Sequence, residues 1–187
     1  MSVSKPPNPY NQLLPKLEIK SYATLVGVGE DSPTENTENS EVTSVVSTDV
    51  IPREMIIEPT NPSICVCRIL NYLNGNSVDK PKEIPWKSDI EFTTMVRQLV
   101  VYCPELIFPL LPIVVEKLQD LCKSLRSIVV KSAVYTTADL FLYLHDRCFQ
   151  YGADLVVVII QKTGSEKQFV RDECISCLKT VILCMIF

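Results

Sequence analysis

The sequence predicts an all-α chain, an α-solenoid of about three stacked helix pairs behind a disordered N-terminal tail. Three observations carry this expectation. From Pro62 onward, apolar residues recur at the spacing of a single helix face. No segment alternates with period two for long enough to pair as a strand. The corners inside the helix pairs are also evenly spaced, with 38 residues from Trp86 to Ser124 and 41 from Ser124 to Ser165.

The chain has 187 residues, 47% of them apolar, enough for one domain with a real core. Its net charge of −4 hides an asymmetry: residues 1–62 carry −5, whereas residues 63–187 carry +1. The acidic part is rich in Pro, Ser, Thr, Asn and Glu, and "EDSPTENTENSEVTS" has almost nothing to bury, so 1–62 reads as a disordered acidic tail. Its short apolar pieces, "ATLVGV" and "REMIIEP", could dock on the domain or on a partner, but their flanking Pro and charges favour an inert linker. A nearly neutral remainder lacks the basic footprint of a nucleic-acid binder, so no nucleic-acid partner is expected. The apolar runs around Leu106–Val115, Leu155–Ile160 and Val181–Phe187 fall short of the roughly 18 residues a membrane span needs, and no secretory signal opens the chain. Eight Cys without such a signal imply free thiols in a reducing, cytoplasmic setting.

The elements follow in order. "SICVCRILNYLN" gives a first helix closed by Gly75, and "GNSVDKPKEIP" is a Pro-broken loop. Phe92, Met95, Val96, Leu99, Val100 and Cys103 mark a second helix, with Ser88 and Glu91 as its capping box and Pro104 as its end. A third starts near Pro109 or Pro112, where a missing N–H costs nothing in a first turn, and turns Leu111, Val114, Val115, Leu118, Cys122 and Leu125 inward. The fourth buries Val130, Ala133, Val134, Thr137, Ala138, Phe141 and Leu144. A fifth covers about Gly152–Lys162, and its "LVVVII" implies burial on most sides. Gly164 closes it, and Ser165 with Gln168 caps the sixth, which presents Val170, Cys174, Cys177, Leu178, Val181 and Ile182 on one stripe. Paired helices repeating near every 40 residues are the signature of HEAT and armadillo-like solenoids, whose pairs bury their apolar faces only against neighbours.

The corners then line up along one edge carrying Trp86, Lys87, Lys123, Arg126, Lys167 and Arg171. At the other extreme of the chain, Leu178, Val181, Ile182, Met185, Ile186 and Phe187 form an apolar face with no polar cap, a surface for self-association or for a partner. Cys65, Cys67, Cys174 and Cys177 would make a zinc site only by converging, and the mid-helix position of Cys174 and Cys177 favours core packing. His145, the only His, lies near Cys148, but a helix-terminal role beside the dipole outweighs a Cys/His nucleophile. With no phosphate loop, paired-carboxylate cleft or triad, neither enzymatic activity nor a cofactor is expected.

Three stretches, "PWKSDIEFTTMVRQLV", "KSLRSIVVKSAVYTTADLF" and "IIQKTGSEKQFVRDECISCL", resemble the first helix pairs of a TOG domain. The likeness is greatest to the TOG-array regulators of axonemal microtubules, looser to CLASP proteins, and covers about residues 63–182. It rests on the Trp ahead of a helix, the Leu-Arg-Ser corner, Asp-Leu-Phe at 139–141 and Phe-Val-Arg-Asp at 169–172. The resemblance implies a partial TOG-like domain over 63–187 that binds tubulin or microtubules through its corner loops, in the cytoskeleton and at the cilium or axoneme. Trp86 and Lys87 would serve the first loop, Lys123 and Arg126 the second, Lys167 and Arg171 the third. The alternative is a HEAT/armadillo-type protein-interaction scaffold without tubulin binding.

Overall fold

A computed structural model describes residues 50–75 and 85–186. Most of the acidic tail (1–49), the loop at 76–84 and Phe187 lie outside the described residues. Among the described residues all regular structure is helical and no strand occurs. Six long helices follow one another: α1 (Pro62–Leu73), α2 (Pro85–Tyr102), α3 (Leu111–Cys122), α4 (Ser127–Leu144), α5 (Asp146–Lys162) and α6 (Gln168–Ile186). Between α2 and α3 the chain makes one helical turn, Pro104–Ile107, and a 3-10 turn, Phe108–Leu110.

Local chemistry explains most of these boundaries. Asn61 caps α1 by accepting the Ile64 N–H at 3.2 Å, Pro62 occupies the first turn, and Gly75 follows the last turn at φ 69°, a conformation that favours glycine. Two sequence boundaries move. The second helix begins at Pro85, so Ser88 and Glu91 sit inside α2 rather than capping it. The fifth begins at Asp146, six residues before Gly152. His145 allows that early start by taking φ 42° between α4 and α5: its N–H donates to the Phe141 carbonyl and its own carbonyl accepts from Cys148 N–H. Gly152 is therefore mid-helix, and its role is close approach. A Cβ there would lie 2.6 Å from Cζ of the buried Phe141 ring.

The helices pack in two rows. Each odd-numbered helix lies against the next, α1 on α2, α3 on α4 and α5 on α6. Along one row α2 meets α4 and α4 meets α6; along the other α3 meets α5 and, more lightly, α1 meets α3. Tyr72 of α1 stacks on Phe92 of α2 with centroids 4.4 Å apart. The α2–α4–α6 row is tied by side chains 38 to 42 residues apart in sequence: Thr93 to Ser132 (2.6 Å), Arg97 to Asp139 (2.7 Å), Tyr135 to Glu173 (2.9 Å) and Lys131 to Glu173 (3.1 Å).

Helix α4 is the centre of the molecule. All seven residues of its expected stripe are buried, and Val129, Ser132, Thr136, Asp139 and Leu140 are buried besides. It is also the one described helix long and apolar enough to cross a membrane by composition, a test that a central core helix passes; 67% of it is buried in the protein. Helix α5 corrects another expectation. Leu155, Val158 and Ile159 are buried but Val157 and Ile160 are exposed, so "LVVVII" is one face of an amphipathic helix, not a helix buried on most sides.

Two further corrections bear on function. Leu125 is fully exposed, because α3 ends at Cys122 and the corner carries Leu125 out of the helix register. The expected tail boundary at 62 also lies too late. Residues 50–61 run over the domain as a strap with one 3-10 turn, Arg53–Met55, and with Val50, Ile56 and Pro59 buried. "REMIIEP" is thus docked rather than a free linker. Arg53 Nε donates to Asp139 Oδ1 at 2.5 Å, and α2 donates to strap carbonyls through Arg97, Gln98 and Tyr102.

Candidate interaction surface

The amino ends of α2, α4 and α6 lie side by side, because these three helices share one row. Trp86, in the first turn of α2, is half-buried, and the Arg126 guanidinium sits 5.7 Å from its ring centroid. That distance is within the range of a cation–π contact. Ser127, the first residue of α4, accepts a hydrogen bond from Lys167 Nζ, just ahead of α6, at 2.5 Å. The row therefore runs Trp86, Arg126, Ser127, Lys167 in continuous contact.

The other expected members join this row unequally. Lys123 is exposed at the end of α3, with only a loose ion pair to the exposed Asp120 at 3.9 Å. Lys87 is half-buried in the first turn of α2. Arg171 is turned inward along the loop: Nη1 donates to the carbonyls of Ser165 (2.7 Å) and Glu166 (2.9 Å), and Nη2 to Gln168 Oε1. Its donors hold the 163–167 loop together, which makes it a positioning residue rather than an open cation. Ser165 likewise contributes a carbonyl to Arg171, and α6 starts three residues after it.

Between the second and third corners lies a shallow hollow of about 390 Å³ lined by Ser124, Leu125, Ser127, Lys162, Ser165 and Lys167, among others. Sequence periodicity missed Leu125 because it extended the α3 stripe one turn too far. The Lys-Ser-Leu-Arg-Ser run was the available signal, since Ser124 Oγ accepts the Arg126 N–H at 3.2 Å and so starts the turn.

At the far end of the row, α6 buries Val170, Cys174, Cys177 and Val181 and half-buries Leu178. It leaves Ile175, Ile182, Leu183, Met185 and Ile186 exposed.

Among the described residues no three His, Cys, Asp or Glu side chains gather as a metal site. Cys65 and Cys67 lie on α1, while Cys174 and Cys177 face the core from α6. Burial pushes the Cys174 thiol up to about 11 and, helped by a neighbouring Cys184, the Cys148 thiol up to about 12. Beside His145 that shift runs opposite to the activation a nucleophile needs.

The ion cluster of Arg53, Arg97 and Asp139 was not anticipated. Arg97 and Asp139 are each 1% exposed, and Asp139 accepts from Arg97 through Oδ2 and from Arg53 through Oδ1. Asp139 falls inside the Asp-Leu-Phe run, and a carboxylate within a mostly apolar helix was the only sequence signal for it.

No family model matches the chain, and no curated protein or solved structure matches it.

Proposed function

We propose that this chain is a HEAT-like, partial TOG-type solenoid that binds tubulin through the corner edge of its α2–α4–α6 row. The observation that carries the reading is the continuous line from Trp86 through Arg126 and Ser127 to Lys167 across three helix ends. Contacts between positions about 40 residues apart support the repeat architecture, because equivalent faces of successive pairs meet in that way. An edge of cations on rigid helix ends complements an acidic protein surface, and Trp86 offers the kind of aromatic anchor that dominates interfaces. Lys123 extends the cationic edge and Arg171 fixes its third loop. Such a role places the protein at cytoplasmic microtubules, the axoneme included.

The test is binding to free tubulin by size-exclusion chromatography and to microtubules by co-sedimentation. Trp86→Ala combined with Arg126→Glu and Lys167→Glu should lower binding at least tenfold while helical content holds. Undiminished binding by that folded variant overturns the edge as the site.

A second reading, a scaffold without tubulin binding, draws on the exposed face of α6. Ile175, the half-buried Leu178, Ile182 and Met185 follow the three-four-three spacing of a helix seam. The occupant we assign to it is a second copy of α6 in antiparallel register, with Leu178 meeting Ile182 and Ile175 meeting Met185. That register is self-complementary and sets no like charges opposite each other along the stripe.

A further inference from the structure

We propose that the face of α2 and α4 is a groove for an arginine-bearing peptide segment of a partner protein, with one 3-10 turn at the arginine, and that residues 50–57 occupy this groove in cis. The inference stands apart from the tubulin reading, since none of the corner residues takes part.

The way the strap is held motivates the proposal. Three side chains of α2 donate to its main-chain carbonyls: Arg97 Nη1 to Ile51 (2.5 Å), Tyr102 OH to Ile56 (2.9 Å) and Gln98 Nε2 to Ile57 (3.2 Å). A carbonyl is the same group in every residue, so such bonds, placed on either side of the Arg53–Met55 turn, hold a backbone and leave its sequence open. Selectivity comes from one position. Asp139 is buried, Arg97 satisfies its Oδ2, and its Oδ1 takes the guanidinium of Arg53. An arginine entering here meets a carboxylate that Arg97 already orients, which favours a charge-assisted bond. Arg53 itself is 36% exposed on its side chain, so it reaches Asp139 from the surface and can leave by the same route.

Apolar anchoring is sparse. Val50 and Ile56 are buried, three residues before and after Arg53, while Met55 and Ile57 project into solvent. The required ligand pattern is therefore an arginine flanked at three residues on each side by an aliphatic side chain. The groove also continues past the strap. Beside Arg53 a cavity of about 210 Å³ runs onto α6, where Glu173, Ser176, Cys177 and Thr180 line it opposite Tyr135. A longer ligand than the strap finds polar partners there.

The experiment uses the full chain and a fluorescein-labelled peptide, VIPREMIIEP, the sequence of residues 50–59. Arg53→Ala with Ile56→Ser in the protein releases the strap. The labelled peptide should then bind at least tenfold more tightly to the released protein than to wild type, where the tethered strap competes at an effective concentration on the order of millimolar. Replacing arginine by alanine in the peptide should weaken binding to the released protein at least tenfold. Failure of the peptide to bind the released, folded protein overturns the proposal, as does equal binding of the two peptides. Hydrogen exchange on wild type supplies a readout that needs no variant. Amides of 51–57 should exchange at least a hundredfold faster than those of α4, reporting a strap that lifts off an intact domain; exchange of both at one common rate makes the strap part of the core and also overturns the proposal.

Discussion

Helices α4 and α6 occupy consecutive places in the same row and differ by one residue in length, yet twelve residues of α4 are buried and only four of α6. Composition alone does not explain this, since both are rich in Val, Ile and Leu. The cause is the neighbours. Helix α4 is flanked in its row by α2 and α6 and covered by α3 and α5, whereas α6 has α4 on one side and α5 beneath. Burial in a stacked helix row is thus set by position in the row, and the same kind of sequence supplies core at one place and surface at the next. Stability should reside in α4, and association in α6 and at the helix corners.

The sharpest way to break this contrast is at Asp139. Asp139→Ala leaves Arg97 buried without its carboxylate, and should cost about 3–5 kcal/mol in denaturant unfolding, enough to unfold a marginal domain. Arg53→Ala removes a partner that is part-exposed, leaves the Arg97–Asp139 pair intact and should cost less, about 1–2 kcal/mol. Equal losses would mean that the strap, rather than α4, holds the row together.

Alkaline pH tests the same core by another route. Burial, with Cys174 nearby, pushes the Cys122 thiol up to about 12, and burial does the same to Cys148. A folded-state pKa raised above the unfolded value means that the folded protein holds these protons more tightly. Their contribution is complete below about pH 9 and drains away as pH rises toward 12. Stability should therefore stay level between pH 6 and 8 with respect to these groups and fall above 9. At pH 8 iodoacetamide should label Cys122 and Cys148 only at the rate of unfolding, and rapid labelling in the folded state would contradict their burial.

Gly152→Ala is the third test. Its added methyl meets Phe141 at 2.6 Å, and that ring is fixed by burial and by an edge contact with Phe149 at 5.2 Å between centroids. Overpacking of this kind costs about 1–3 kcal/mol, more than the gain of roughly 1 kcal/mol from removing a mid-helix glycine. Phe141→Leu in the same chain should recover part of the loss, and a stabilised Gly152→Ala would show that the ring yields.

Gly152 also marks the limit of what the sequence disclosed. Period-3.6 stripes found all six helices and seven of the twelve buried positions of α4, because helix faces repeat locally; the other five are buried by the further neighbours that surround a central helix. Glycine and proline punctuation placed Gly75 and Pro104 correctly. It misled at Gly152, where the residue serves packing between helices, a contact 11 residues away that local pattern does not reveal. The corners were legible as a 40-residue period, and with them the adjacency of Trp86, Arg126 and Lys167. The strap was not, because its anchoring depends on Arg97 and Asp139 meeting across 42 residues and on carbonyls that carry no sequence signature. The partners of Arg171 were hidden for a related reason: charge type is visible in sequence, but inward hydrogen bonding to Ser165 and Glu166 is not.

The exposed side of α6 should respond in the opposite sense to α4. Ile182→Glu with Met185→Glu should change folding stability by no more than about 0.5 kcal/mol, since both side chains are more than half exposed. In sedimentation velocity, wild type should associate with rising concentration, and this variant should remain monomeric. A monomeric wild type at high concentration removes the α6 pairing and with it the observation favouring the scaffold reading.

The smallest effect on stability, and the cleanest on binding, belongs to Leu125. Trp86→Ala mixes two consequences, because Trp86 is half-buried and carries the Arg126 guanidinium over its ring. Leu125 is fully exposed, so Leu125→Ser should leave unfolding unchanged within about 0.5 kcal/mol. If the corner edge engages tubulin, this apolar tip between Lys123 and Arg126 is covered on binding, and its loss should weaken the complex about threefold to tenfold, since burying a leucine side chain is worth about 1.5–3 kcal/mol at most. That loss should be the same at low and high salt. Arg126→Glu should instead lose most at low ionic strength, because exposed charges are screened beyond a Debye length of about 8 Å at physiological salt. A salt-independent loss at Leu125 beside a salt-dependent loss at Arg126 would mark one edge read by two kinds of force. Normal tubulin binding by both variants would move the site off this corner.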